Sequence, residues 1–170
     1  MGILRVTKHG EAVLKRVSPA VDFDAVKKDL PALLKDMWET MYAVKGVGLA
    51  APQIGLNMRL AIIDVKPNDK PQQLVLINPQ IISKEGALDE EEGCLSIPGL
   101  YSKVKRAAKV RIRALDAKGK PYEMSGQGLL ARAFQHEIDH LDGKLFIDHL
   151  SLVERLRVAR VLKELKPRWT

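Results

Sequence analysis

Apolar residues recur at spacings of three and four between Val21 and Val44. Val26, Leu30, Leu33, Met37 and Met41 fall on one stripe, which predicts an amphipathic helix. Pro31 either kinks that helix or marks its true first turn, with Asp29 as N-cap, and Gly46 and Gly48 end it. The pattern then changes. Arg59–Val65 and Gln73–Ile82 are rich in branched apolar residues and read as strands. Lys109–Leu115 alternates, with Val110, Ile112 and Ala114 on one face, and Asp116–Lys120 reads as a turn into a hairpin partner at Pro121–Gly126. From Leu129 to about Leu141 the period is helical again, and Ser151–Leu165 reads as a second amphipathic helix with Leu152, Leu156, Val161 and Leu165 on or near one stripe. Strands in the middle and helices at the ends predict an α+β domain.

A length of 170 residues fits one domain spanning 1–170, with 151–170 as its C-terminal helix. Apolar content of 46% and charged content of 29% are ordinary for a globular protein, and no repeat or low-complexity tract interrupts them. No apolar run approaches the roughly 20 residues of a membrane helix. The opening "MGILRVTKHG" lacks the apolar stretch of a signal peptide, is poor in arginine, and carries Val6 where a myristoylation signal wants Ser or Thr. The expected location is the cytoplasm. A net charge of +7 suits either a polyanionic neighbour such as RNA or solubility alone. Cys94 is the only cysteine, so no internal disulfide forms. It is a small buried hydrophobe, a nucleophile or a metal ligand, and its neighbours decide which.

The candidate chemistry begins at "QHEIDHLDG", residues 135–143. On a helix, His136 and His140 share a face and can offer two imidazoles to one ion, while the carboxylate of Glu137 can reach a water on it. The competing reading is a solvated helix face that happens to carry two histidines. A catalytic site needs a third protein ligand and an open position. Downstream the candidates are Asp142, Asp148, His149 and Glu154; Asp142 is on the wrong side of the helix, and His149, with no strong signal around it, reads as a capping or packing residue. Upstream, Cys94 lies in "EEGCLSIPG", where Gly93 and Pro98 predict a tight local path rather than a buried strand, and a thiolate is a strong ligand for soft divalent ions. A third stretch, "GVGLAAPQIG", superficially matches the dinucleotide fingerprint. A helix rather than a strand precedes it, and Pro52 interrupts any helix that follows. Its glycines fit a close approach of backbone to a bound ligand, and Gln53 is either an amide donor beside the site or a simple turn residue.

Together, "GVGLAAPQIG", "EEGCLSIPG" and "QHEIDHLDG" resemble the three signature motifs of the peptide deformylase family, in order and separation, and the likeness extends over nearly the whole chain. The resemblance implies small antiparallel sheets packed around a central HExxH-bearing helix, with N-terminal and C-terminal helices. It implies one divalent ion held by Cys94, His136 and His140, physiologically Fe(II), which nickel, cobalt or zinc can replace. It implies Glu137 as general acid/base, with Gln53 and the backbone N–H of Leu95 donating to the formyl oxygen and Gly48 at the substrate backbone. Val47, Ala133 and the helix around Phe134 are expected to wall the methionine pocket. The substrate implied is the formyl-methionine end of new polypeptides, and the product is formate. One stretch departs from the pattern: some members carry charged residues after "CLSIP", where this chain has Gly99, Leu100 and Tyr101. Arg155, Arg157, Arg160, Lys163, Lys166 and Arg168 make the last helix basic, which suits either ribosome docking or a solvated outer face. Two other readings remain open at this point. One is a metallopeptidase on the same helix; the other is an RNA-associated protein with a structural metal.

Overall fold

The computed structural model describes residues 2–169; Met1 and Thr170, the outer bounds of the expected domain, lie outside the described residues. Four α-helices are α1 (Phe23–Val26), α2 (Leu30–Ala43), α3 (Gly128–Leu141) and α4 (Leu152–Leu165). The strands are β1 (Gly48–Ala50), β2 (Leu60–Ile63), β3 (Leu74–Glu85), β4 (Leu88–Cys94), β5 (Ile97–Arg106), β6 (Lys109–Leu115) and β7 (Pro121–Gln127). Five of them form one antiparallel sheet in the order β1-β2-β3-β6-β7, and β4 and β5 pair separately as a hairpin.

A strand reading Leu-Ala-Ile-Ile has no polar face, so both its sides need cover. In β2, Leu60 and Ile62 pack with Leu30, Leu34, Met37 and Met41 of α2. Ala61 and Ile63 turn the other way, against Ala131, Phe134, Ile138 and Leu141 of α3. The strand is therefore sandwiched between two helices, and each helix owns one core cluster. Farther along the sheet only one face is covered. Val110, Ile112 and Ala114 of β6 join the α3 cluster, while Arg111 and Arg113 point outward and share the carboxylate of Glu123 on β7. This matches the alternation in the sequence.

The α+β class holds, with differences in detail. The stretch predicted as one helix is a single turn, α1, followed by α2 with Pro31 in its first turn. Asp29 precedes it, but its side chain caps nothing. The chain leaves α2 through Lys45 at φ 57°, not through a glycine. "EEGCLSIPG" does turn tightly, at Leu95–Ser96, but between two strands: it spans the end of β4, that two-residue turn and the start of β5. The acidic run Asp89–Glu92 hides a strand because it shows no apolar alternation. Pro52 lies within a single 3-10 turn, Ala51–Ile54, that follows β1.

The inward stripe of α4 is also phased differently from the expectation. Glu154 accepts a hydrogen bond from Ser102 Oγ at 3.1 Å, and Val158, Val161, Leu162 and Leu165 continue that face onto Ile97, Leu100 and Val104 of β5. Leu152 and Leu156 consequently face outward, 74% and 61% exposed. A stripe that begins with a hydrogen-bonded glutamate cannot be phased from apolar residues alone. No helix among the described residues is long and apolar enough to cross a membrane.

Phe134 is fully buried at the centre of the α3 cluster, on the opposite side of the helix from the cleft described below. Phe134→Ala is expected to lower the unfolding free energy by about 3–5 kcal/mol, read as a fall in the urea midpoint at unchanged slope.

Candidate metal centre

Helix α3 carries His136 and His140 one turn apart, and the end of β4 brings Cys94 to them. One ligand atom from each of the three lies within 4.8 Å of the others. Cys94 Sγ is 3.4 Å from His140 Nε2, and the two Nε2 atoms are 3.2 Å apart. A tetrahedral ion with bonds of about 2.3 Å to sulfur and 2.0–2.1 Å to nitrogen spaces its ligands by about 3.3–3.6 Å, so the donor set fits one ion. The electrostatics agree. Burial works against a proton on His136, but its contacts with Cys94 and Glu92 outweigh burial and raise its pKa well above the ordinary value. Burial, and then the charge on His136, hold His140 well below its ordinary value. Two imidazole nitrogens and a sulfur facing one another at these distances are a set of lone pairs in need of one cation.

The orientation of His136 has a visible cause. Its Nδ1 contacts Glu92 Oε1 at 2.6 Å, which leaves Nε2 for the shared point. Glu92 is buried and also receives Arg106 through two bonds, 2.6 and 3.1 Å, and Arg132 Nη1 at 2.6 Å. Burial raises the Glu92 carboxyl, but the hydrogen bonds from His136 and Arg106 bring it far below the usual carboxylate range. Arg106 extends to Asp139 at 2.6 Å, and Asp139 to His149 at 2.7 Å. His149 thus pairs with Asp139 and is not among the three clustered ligands.

Glu137 is buried beside the cluster, and its Oε2 has no hydrogen-bond partner. Burial pushes its carboxyl up to about 7. The backbone of β1 passes directly over it: a Cβ at Gly48 would collide with the Glu137 carboxylate. Here glycine is required by close approach. Gln53 is held from both ends. Its Oε1 accepts from Ala50 N–H at 3.0 Å, so its Nε2 faces the site, 3.2 Å from Ser96 Oγ and 3.7 Å from Cys94 Sγ. The turn reading and the donor reading of Gln53 are therefore one arrangement. Leu95, in the hairpin turn, lies on the same cleft.

That cleft has a volume of about 880 Å³, room for a peptide end as well as an ion. Val47, Gly48, Ala133 and Glu137 line it. Phe134 does not, because it faces the core; Leu129, 51% exposed, and Arg132, five and two residues before it on the same helix, line the cleft instead. Tyr101 lies on the rim with its ring against Gly93. Sequence reasoning missed Glu92, Arg106, Arg132, Leu129 and Ser96. Leu129 carries a readable signal, since it stands four residues before Ala133 on the same helix. Glu92 carries none, because an acidic run ordinarily marks a solvated face.

The likeness to known proteins agrees with this geometry. The family profile described as Polypeptide deformylase matches residues 3–156. A peptide deformylase from Alkalilimnicola ehrlichii is 48% identical over 165 residues, 97% of this chain and 92% of that protein. One from Acidobacterium capsulatum is 48% identical over 167 residues, 98% of this chain and 97% of that protein. Among solved structures, a peptide deformylase from Legionella pneumophila superposes with a TM-score of 0.89 at 47% identity, covering 98% of this chain and 96% of that one. One from Synechococcus elongatus, solved in complex with actinonin, gives 0.85 at 39% identity, covering 95% of this chain and 85% of that one. The chain belongs to the polypeptide deformylase family, metal-dependent hydrolases that remove the formyl group from the N-terminus of new polypeptides.

Proposed function

We propose that this chain takes the formyl group from the formyl-methionine end of newly made polypeptides and releases formate, in the cytoplasm, as one catalytic domain of which α4 is part. The observation that carries this reading is the convergence, in one cleft, of Cys94 Sγ, two imidazole nitrogens, the unpartnered carboxylate of Glu137 and the Nε2 of Gln53. Cys94, His136 and His140 hold one divalent ion and leave a position open, unlike a closed structural site. When bound, the ion supplies Lewis acidity and makes a water acidic enough to yield hydroxide near neutral pH.

The remaining chemistry belongs to the chain. Glu137 accepts the proton of the attacking water and returns it to the departing nitrogen. Gln53 Nε2 and the Leu95 N–H donate to the oxygen that becomes an oxyanion; one such donor is worth about 2.7–4 kcal/mol. The backbone at Gly48 runs along the substrate's own backbone, and Val47 and Ala133 contact the methionine side chain. A formyl carbon bears only hydrogen, so a narrow site admits it and rejects an acetyl group.

The test is formate release from formyl-Met-Ala-Ser by metal-loaded protein, beside acetyl-Met-Ala-Ser and unformylated peptide. Formate from the first alone supports the reading. Cleavage of an internal peptide bond, or no reaction at full metal occupancy, overturns it.

Fe(II) is the physiological ion in this reading, with nickel, cobalt or zinc able to replace it. A thiolate with two imidazoles suits such borderline-soft ions. The iron form is expected to lose activity in air within the time that a nickel form keeps it. Equal decay of the two counts against iron.

Helix α4 docks on the ribosome through its outward face, where Arg160 and Lys163 are exposed beside Leu156. A basic helix suits a phosphate backbone, and such contact weakens with salt. Because Val158 and Leu162 are buried, charge reversal is a safer probe than deletion. Arg160→Glu with Lys163→Glu is expected to reduce co-sedimentation with ribosomes, most clearly at low salt. Unchanged binding removes the docking idea.

A further inference from the structure

The two histidine ligands are not held alike. His140 Nδ1 is buried and has no hydrogen-bond partner, whereas His136 Nδ1 meets Glu92 Oε1 at 2.6 Å. Arg106 Nη2 competes for that same oxygen, also at 2.6 Å. How strongly Glu92 holds His136 therefore depends on how much of the Arg106 charge falls on Glu92. Asp139 governs this share. It takes Arg106 Nη1 at 2.6 Å and is met from outside by His149 at 2.7 Å. With His136 neutral as a ligand, the charges around Glu92 balance: Glu92 and Asp139 against Arg106 and Arg132. Without the Asp139 carboxylate, one whole positive charge is left over, and Glu92 is the nearest acceptor for it.

We propose that Asp139 is a positioning residue for the metal centre, acting on His136 through Arg106 and Glu92. The inference rests on the reading that His136 is a ligand. Asp139 sits on α3 between the two histidines and touches neither the cleft nor the three ligand atoms. Its effect reaches the ion by a path through β5 and β4 and returns to the same helix. Removing its charge draws Arg106 onto Glu92 Oε1, weakens the hold on the Nδ1–H of His136, and loosens one ligand while leaving the other untouched.

The experiment uses the cobalt-loaded protein and follows transfer of the ion to a chelator, with the visible spectrum of cobalt as a second readout. Asp139→Asn is expected to speed metal release severalfold, short of the about 10–100-fold that loss of a direct partner of a ligating histidine costs, and to shift the cobalt bands. Asp139→Glu, which keeps the charge, is expected to restore part of the retention. His149→Ala, which leaves Asp139 Oδ2 to Arg106 alone, is expected to act in the opposite sense and to a smaller extent, slowing release. A purely structural role would lower the melting temperature of the metal-free protein and leave release and spectrum alone.

Release within twofold of the parent and an unchanged spectrum in folded Asp139→Asn overturn the proposal. If that variant does not fold, His149→Ala decides by the same readouts, slower release supporting the proposal and unchanged or faster release overturning it. Failure of the parent itself to bind one ion per chain is a different outcome, and it overturns the ligand reading along with this one.

Discussion

Glu137→Gln is expected to lower kcat for formate release by about 10²–10⁴-fold, the usual worth of a positioned general acid or base. The replacement is nearly isosteric, so the approach of the Gly48 backbone to this side chain is preserved. The amide cannot take a proton from water at neutral pH. Glu137 is not one of the three clustered ligand atoms, so metal content is expected to stay at one ion per chain. KM is expected to change little, since the interaction lost belongs to the transition state. Steady-state kinetics beside metal analysis check this. A variant that keeps full occupancy and most of its kcat removes Glu137 from the mechanism, even if formyl-methionine proves to be the right substrate.

The second large effect is on stability. Glu92→Ala leaves two buried arginines without their shared carboxylate, because Arg106 and Arg132 both bond to it and each is about 5% exposed. Removing one partner of a buried ion pair is expected to cost about 3–5 kcal/mol, most of it the penalty for the cations left behind. Against a typical total of about 5–15 kcal/mol, this is a large fraction. Urea unfolding of the metal-free protein measures it, so that loss of the ion does not confuse the result. Replacing Glu92 and both arginines by apolar residues of similar volume is expected to cost less than the single change, because no buried arginine is left unpaired and Asp139 keeps His149. A Glu92→Ala loss below about 1 kcal/mol would show that water reaches the arginines and the cluster is not closed.

Much of this was legible in the chain. The i, i+4 spacing of His136 and His140 places two imidazoles on one side of α3 whatever lies around it. The alternation in Lys109–Leu115 names the face of β6 that is buried, and Pro31 marks the first turn of α2. The third ligand was inferred from Gly93 and the lone thiol, although the hairpin that carries them was not foreseen. The failures share a cause. The phase of α4 hinges on the Ser102–Glu154 bond between residues 52 apart. The orientation of Phe134 into the core, with Leu129 in the cleft, depends on which side of α3 meets the sheet.

What the sequence determined by itself is local. Helical and strand periods, turn residues, and the placement of His136 and His140 on one face of a helix all follow from interactions within a few residues. Tertiary structure alone decided the rest: that Glu92 belongs to His136, 44 positions away, and to Arg132, 40 away, and that Gln53 turns its amide toward Cys94, 41 away. The physical reason is burial. An acidic residue in water carries no information about its partner. Once desolvated it must find its counter-charges, and only the packed chain says which ones are within reach.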